Sequence, residues 1–168
     1  MEKLRKRFYP LLLIVSLAIF LAFLVPRGIV YIKQGQTDDI METVFQYQFD
    51  HNFSGKQQNA KAYFLSALEG KDPGENVIRH FSDHRPPVKK KSQCEVKQVG
   101  LGEPVIDKET GEEGLLFQVD SIKWISWGRA EVKGGYYESS LSASGNKYSV
   151  LRKGRKWIVT EDICEWQQ

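Results

Sequence analysis

"GGYYESSLSASGNKYSVLRKGRKWIVT", residues 134–160, decides the fold. Apolar and polar residues alternate on either side of two small turn signals, the pattern of consecutive hairpins. A two-residue turn at Gly145–Asn146 would pair Leu141 with Val150 and Ala143 with Tyr148. A second turn at Lys153–Gly154 would pair Val150 with Trp157 and Tyr148 with Val159. Leu141, Ala143, Tyr148, Val150, Trp157 and Val159 then share one face, an apolar floor on which amphipathic helices can pack.

The strands upstream are expected to bend. Leu115, Phe117 and Val119 are apolar at odd positions, whereas Ile122 and Trp124 are even, so one extra residue is expected near Asp120–Ser121. Ala130, Val132, Gly134 and Tyr136 give way to Leu141 and Ala143, which predicts a second slip between Tyr137 and Ser140. A β-bulge does this: it keeps one face inward and bends the strand.

Three helices are predicted before the sheet. In "TDDIMETVFQYQF" Thr37 is the expected N-cap, and Ile40, Met41, Val44, Phe45 and Phe49 recur at helical spacing. Ala60, Tyr63, Phe64, Ala67 and Leu68 form a second stripe, stopped by Gly70. "DPGENVIRHF" places Asp72 as cap and Pro73 at the first helical position. The expected fold class is α+β, with about three helices on a curved antiparallel sheet.

The N-terminus reads separately. Lys3, Arg5, Lys6 and Arg7 precede an uncharged apolar run, Phe8 to Val25, of 18 residues. At about 1.5 Å per residue this is roughly 27 Å, close to a bilayer's hydrocarbon thickness. A cleaved signal peptide, giving a secreted protein, is the rival reading; the run is long for one and lacks an A-x-A site. The basic excess before the run keeps the N-terminus in the cytoplasm and sends the remainder outside. The expected plan is a cytoplasmic basic segment (1–7), a transmembrane signal-anchor (8–25), a linker (26–36) and an extracytoplasmic domain (37–168).

This division changes the meaning of the net charge. Of 24 Lys+Arg and 21 Asp+Glu, six basic and one acidic residue lie in 1–35, leaving 18 basic and 20 acidic in 36–168. Such a domain has no electrostatic footprint for nucleic acid.

The segment "YYESSLSASGNKYSVLRKGRKWIV", closing on Gly154, Trp157 and Val159, resembles the last strands of NTF2-like domains of the cystatin-like α+β class. The resemblance covers roughly residues 37 to 166. It implies a cone whose mouth either holds a small molecule, as in ketosteroid isomerase and scytalone dehydratase, or is closed for protein binding. An anchor followed by such a domain also looks like the bitopic assembly proteins of type IV secretion systems.

Isomerase-type chemistry needs a carboxylate base facing a buried tyrosine or protonated acid. Tyr63, Tyr136, Tyr148 and Trp157 are the expected pocket-lining residues, with Tyr63 and Tyr136 foremost; core aromatics with a hydroxyl at the rim are the plainer reading. Asp120 is expected on the solvated face. His80 and His84 have metal-ligand spacing, but with His51 as the only other histidine no metal site is expected. "VKKKSQ" reads as a solvated loop or a headgroup contact, and "DKETGEEG" as a polar hairpin tip. Cys94 and Cys164 are expected in the first and last strands, bridged if those strands are neighbours and separate buried thiols if not. No P-loop, G-x-S-x-G, H-E-x-x-H or C-x-x-C occurs, and no cofactor is expected.

The leading functional expectation is a non-catalytic, membrane-anchored binding or assembly module, with a protein partner or self-association. A small-molecule carrier or an isomerase- or dehydratase-like enzyme is the second reading, and a ligand-free structural module the third.

Overall fold

Ile40, Met41, Val44, Phe45 and Phe49 all turn inward from one helix, α1 (35–51), as their spacing requires. A computed structural model describes residues 35–52, 54–98 and 102–168. The basic N-terminus, the apolar run 8–25 and most of the linker lie outside the described residues. Among those described, no helix is long and apolar enough to cross a membrane. The chain is already helical at residue 35, so Thr37 lies inside α1 and is not its cap.

The second predicted helix is a strand. β1 (Tyr63–Ser66) is buried along its whole length. Tyr63 and Leu65 join the core beneath α1, while Phe64 joins a second cluster with Ala62, Cys94, Val105 and Leu116. β1 pairs in parallel with β2 (Val88–Lys90) on one side and β5 (Glu113–Ser126) on the other. A strand buried on both faces has no polar alternation, so its apolar run also satisfies a helical stripe.

The third helix forms but is short. α2 (Glu75–His80) is capped by Gly74, because Asp72 is engaged elsewhere: its Oδ1 accepts the Ser92 N–H at 2.8 Å. That bond holds the 3-10 turn Lys91–Gln93 against the start of α2.

The sheet is mixed, a correction to the antiparallel expectation. Its order is β2-β1-β5-β6-β7-β8, with β6 (Arg129–Ser139), β7 (Ser142–Lys153) and β8 (Lys156–Gln167) completing an antiparallel meander. Two short strands, β3 (Cys94–Val96) and β4 (Val105–Asp107), branch from β5. Both predicted slips are present, between Val119 and Ser121 and between Tyr137 and Ser139, with further shifts at Trp124/Ser126, Gly145/Asn146 and Ser149/Val150.

The hairpin register differs from the expectation. The β6–β7 reversal is at Ser140–Leu141, and Leu141 is 73% exposed and off the floor. Gly145 instead lies within β7 opposite Gly135, and the Trp166 indole packs where a side chain on Gly145 would stand. The β7–β8 turn is one residue later than expected, at Gly154–Arg155. Val150 therefore faces Val159, and Trp157 faces Arg152. This is a two-residue slip along β8, which preserves side-chain parity. Ala143, Tyr148, Val150 and Trp157 are accordingly buried, with Val159 packed partly buried against the core.

Candidate functional site

α1 crosses the floor with its first turns near the β7–β8 turn and its last turns over the middle of the sheet. Two spaces result. The inner one lies beneath the C-terminal half of α1, between Tyr47, Gln48 and His51 above and Tyr136, Tyr148 and Asn146 below. Gln48 is buried; its Nε2 donates to the Gln118 carbonyl at 3.0 Å and to the Tyr148 hydroxyl at 3.4 Å. Tyr47 stacks on His51, ring centroids 4.1 Å apart, and meets Tyr148 edge-on at 5.8 Å. Asn146 Nδ2 donates to Asp162 Oδ1 at 2.7 Å, and the Ser144 hydroxyl donates to Asn146 Oδ1 at 2.9 Å.

These groups plug the interior. The space left between them measures about 10 Å³, at the lower limit for one water molecule, and admits no steroid-sized ligand. Gln48 Oε1 is buried there without a hydrogen-bond partner among the described residues. Burial raises the Tyr148 hydroxyl far above the ordinary tyrosine pKa, although the Gln48 amide pulls it back somewhat. Tyr148 therefore stays protonated, and the nearest carboxylate, Asp162, is already bound to Asn146. Among the described residues no base faces the hydroxyl across a gap that a substrate could occupy.

The four pocket candidates thus separate. Tyr136 and Tyr148 come together at the plug. Tyr63 belongs to an aromatic cluster instead, 5.0 Å from Phe49, 4.9 Å from Phe117 and 5.2 Å from the His84 ring. Trp157 is at the other end of α1, where it lines an open groove of about 490 Å³. Asp39, Glu42, Thr43 and Gln46 of α1 form one wall of this groove, and Arg155 and Lys156 lie opposite. His80 Nδ1 is 3.0 Å from Glu42 Oε2. Burial raises the Glu42 carboxyl pKa, and the facing His80 opposes that shift. The sequence reading missed this groove, whose walls are over a hundred positions apart; the available signal was an acidic helix start and the basic "KGRKW" turn.

His80 and His84 do not converge. His84 Nδ1 lies 2.8 Å from the Pro86 carbonyl, with its ring against Phe49 and Tyr63. Among the described residues no group of three or more metal-ligating side chains is assembled.

The lysine run is not a loose loop. Lys89 bridges Asp107 at 2.9 Å and Glu109 at 2.8 Å, Lys90 pairs with Glu75, and Lys91 donates to the Gly70 carbonyl at 3.0 Å. Burial pushes the Asp107 carboxyl up, but bonds from Lys89 and the Glu109 N–H hold it below the usual carboxylate range. "DKETGEEG" forms the β4–β5 hairpin tip, and Asp120 is exposed on its strand, though partial desolvation raises its pKa.

Cys94 and Cys164 are free thiols. The ladder from β3 to β8 passes through β4, β5, β6 and β7, so the first-and-last-strand adjacency that a bridge requires is not present. Cys94 is buried and its pKa pushed up to about 11 by desolvation; Cys164 is exposed.

No protein-family model matches the chain, and neither does any curated protein or solved structure.

Proposed function

We propose that the chain is a membrane-tethered, extracytoplasmic module of NTF2-like architecture that works by binding at its surface and carries out no reaction inside. The observation that carries this reading is the plugged interior: about 10 Å³ remains between Tyr136, Tyr148 and the Gln48 side chain. A helix laid across a bulged antiparallel meander supports the NTF2-like cone. The basic cluster before the 18-residue apolar run supports the tether and its orientation. The open surface beside the plug, a charged groove of about 490 Å³, has the size and shape to receive a side chain or short segment of a partner.

Native mass spectrometry of the full-length chain released from membranes in detergent tests this. The expected species are the chain alone or the chain with protein subunits. A small molecule bound at one per chain, and lost on Tyr148→Phe, would favour the carrier or enzyme reading instead.

A further inference from the structure

Two hairpin turns meet at the end of the sheet where α1 begins. The β5–β6 turn carries Trp124, Ile125 and Trp127, which are 38%, 51% and 76% exposed. The β7–β8 turn lies beside it: the Arg152 N–H donates to the Gly128 carbonyl at 2.8 Å, and Trp157 touches Trp124. Around these rings stand Lys123, Arg129, Arg152, Lys153, Arg155 and Lys156. Neither 121–130 nor 146–160 contains an acidic residue, and none of the six cations is in an ion pair among the described residues. The facing acids are Asp39 and Glu42 across the groove, with Glu42 engaged by His80, and Glu131, which lies opposite Lys123 in the β5–β6 ladder.

We propose that this tip docks on an anionic lipid bilayer, with Trp127, Trp124 and Ile125 in the interfacial layer and the cations among the headgroups. Tryptophan and aliphatic side chains flanked by Lys and Arg are the composition of membrane-interface contacts. An acidic protein surface would match the cations but gains less from an unshielded indole and isoleucine at the outermost point of a turn. Position supports the same occupant. The groove residue Asp39 sits opposite Arg155, so the chain joins the domain at this end, and only eleven residues separate Val25 from Thr37. The short linker bears on docking only under the tethered reading above; the composition of the tip bears on it either way.

The test uses the full-length chain reconstituted into phosphatidylcholine vesicles with or without phosphatidylglycerol, each prepared with brominated acyl chains as a quencher of tryptophan fluorescence. Quenching is expected in anionic vesicles, reduced by at least about half in Trp127→Phe, and unchanged in Trp166→Phe. Trp127 is mostly exposed, so its replacement leaves the core intact. Lys153→Gln with Arg155→Gln should remove most of the difference between anionic and neutral vesicles, since each basic residue near such a surface contributes on the order of fivefold in affinity. No quenching in either vesicle type, or quenching that Trp166→Phe abolishes, overturns lipid docking and leaves a protein as the occupant. Alkaline carbonate treatment reads the tether separately. A chain stripped by carbonate but quenched by anionic vesicles at neutral pH contradicts the anchor and still supports the docking tip; a carbonate-resistant chain without quenching contradicts the tip alone.

Discussion

Trp157 meets Trp124 edge-on, with ring centroids 5.7 Å apart and planes inclined at 73°, although β8 and β5 are separated by two strands. The row opposite Trp124 runs through Ala130 and Val150 to Val159, and Trp157 lies two residues before Val159 on β8, opposite Arg152. The contact fastens the floor of the domain to the exposed hairpin tip. Trp157→Ala should therefore cost about 3–5 kcal/mol, a large part of a typical domain's stability. The check is the denaturant midpoint, which should fall sharply.

Gly135 and Gly145 face each other across β6 and β7, yet they should respond differently to alanine. A Cβ on Gly135 would lie 1.9 Å from the Ser144 carbonyl oxygen, a backbone atom that cannot move without opening the ladder. Gly135→Ala should destabilise by about 3 kcal/mol or more, beyond the usual range for overpacking. A Cβ on Gly145 would meet Trp166 Nε1 at 2.1 Å, but Trp166 is 53% exposed and can swing aside. Gly145→Ala should cost about 1 kcal/mol and shift the Trp166 emission. Thermal unfolding and fluorescence of the two variants separate these outcomes.

The Lys89–Asp107 pair gives a pH dependence of defined sign. Asp107 has a folded pKa below the unfolded carboxylate value, so its stabilisation is full above about pH 4 and is lost as pH falls through the folded pKa. Asp107→Asn should be less stable than the parent at pH 7. The gap should narrow as pH falls from about 4 to 2, measured by denaturant titration at each pH.

The parts legible in the sequence were those in which one face alone is buried. α1 declared itself through Ile40, Met41, Val44, Phe45 and Phe49, and the bulges through parity changes at Asp120–Ser121 and after Tyr137. β1 was misread because Tyr63, Phe64 and Leu65 are all buried, which erases the alternation that marks a strand. The Gly145–Asn146 signal was misplaced because a glycine that makes room for a neighbouring indole looks the same as one required for a turn. Of the site, Tyr136 and Tyr148 were legible as inward residues on neighbouring strands. The plug depends on Gln48, a polar residue on an apolar face, and the groove on contacts between distant segments. Neither leaves a local pattern.

The thiols supply a further check. Cys164 should react with maleimide in the folded protein, while Cys94, buried and with a pKa near 11, should react only after unfolding. Mass spectrometry of non-reduced, denatured protein should count two alkylatable thiols.

That difference in reactivity makes Cys164 a native reporter of where the domain resides. A membrane-impermeant maleimide applied to intact cells producing the full-length chain should label Cys164 without lysis, and the labelled chain should remain with the membrane after alkaline carbonate. Labelling that appears only after lysis, or release of the chain by carbonate, would contradict a tethered extracytoplasmic module.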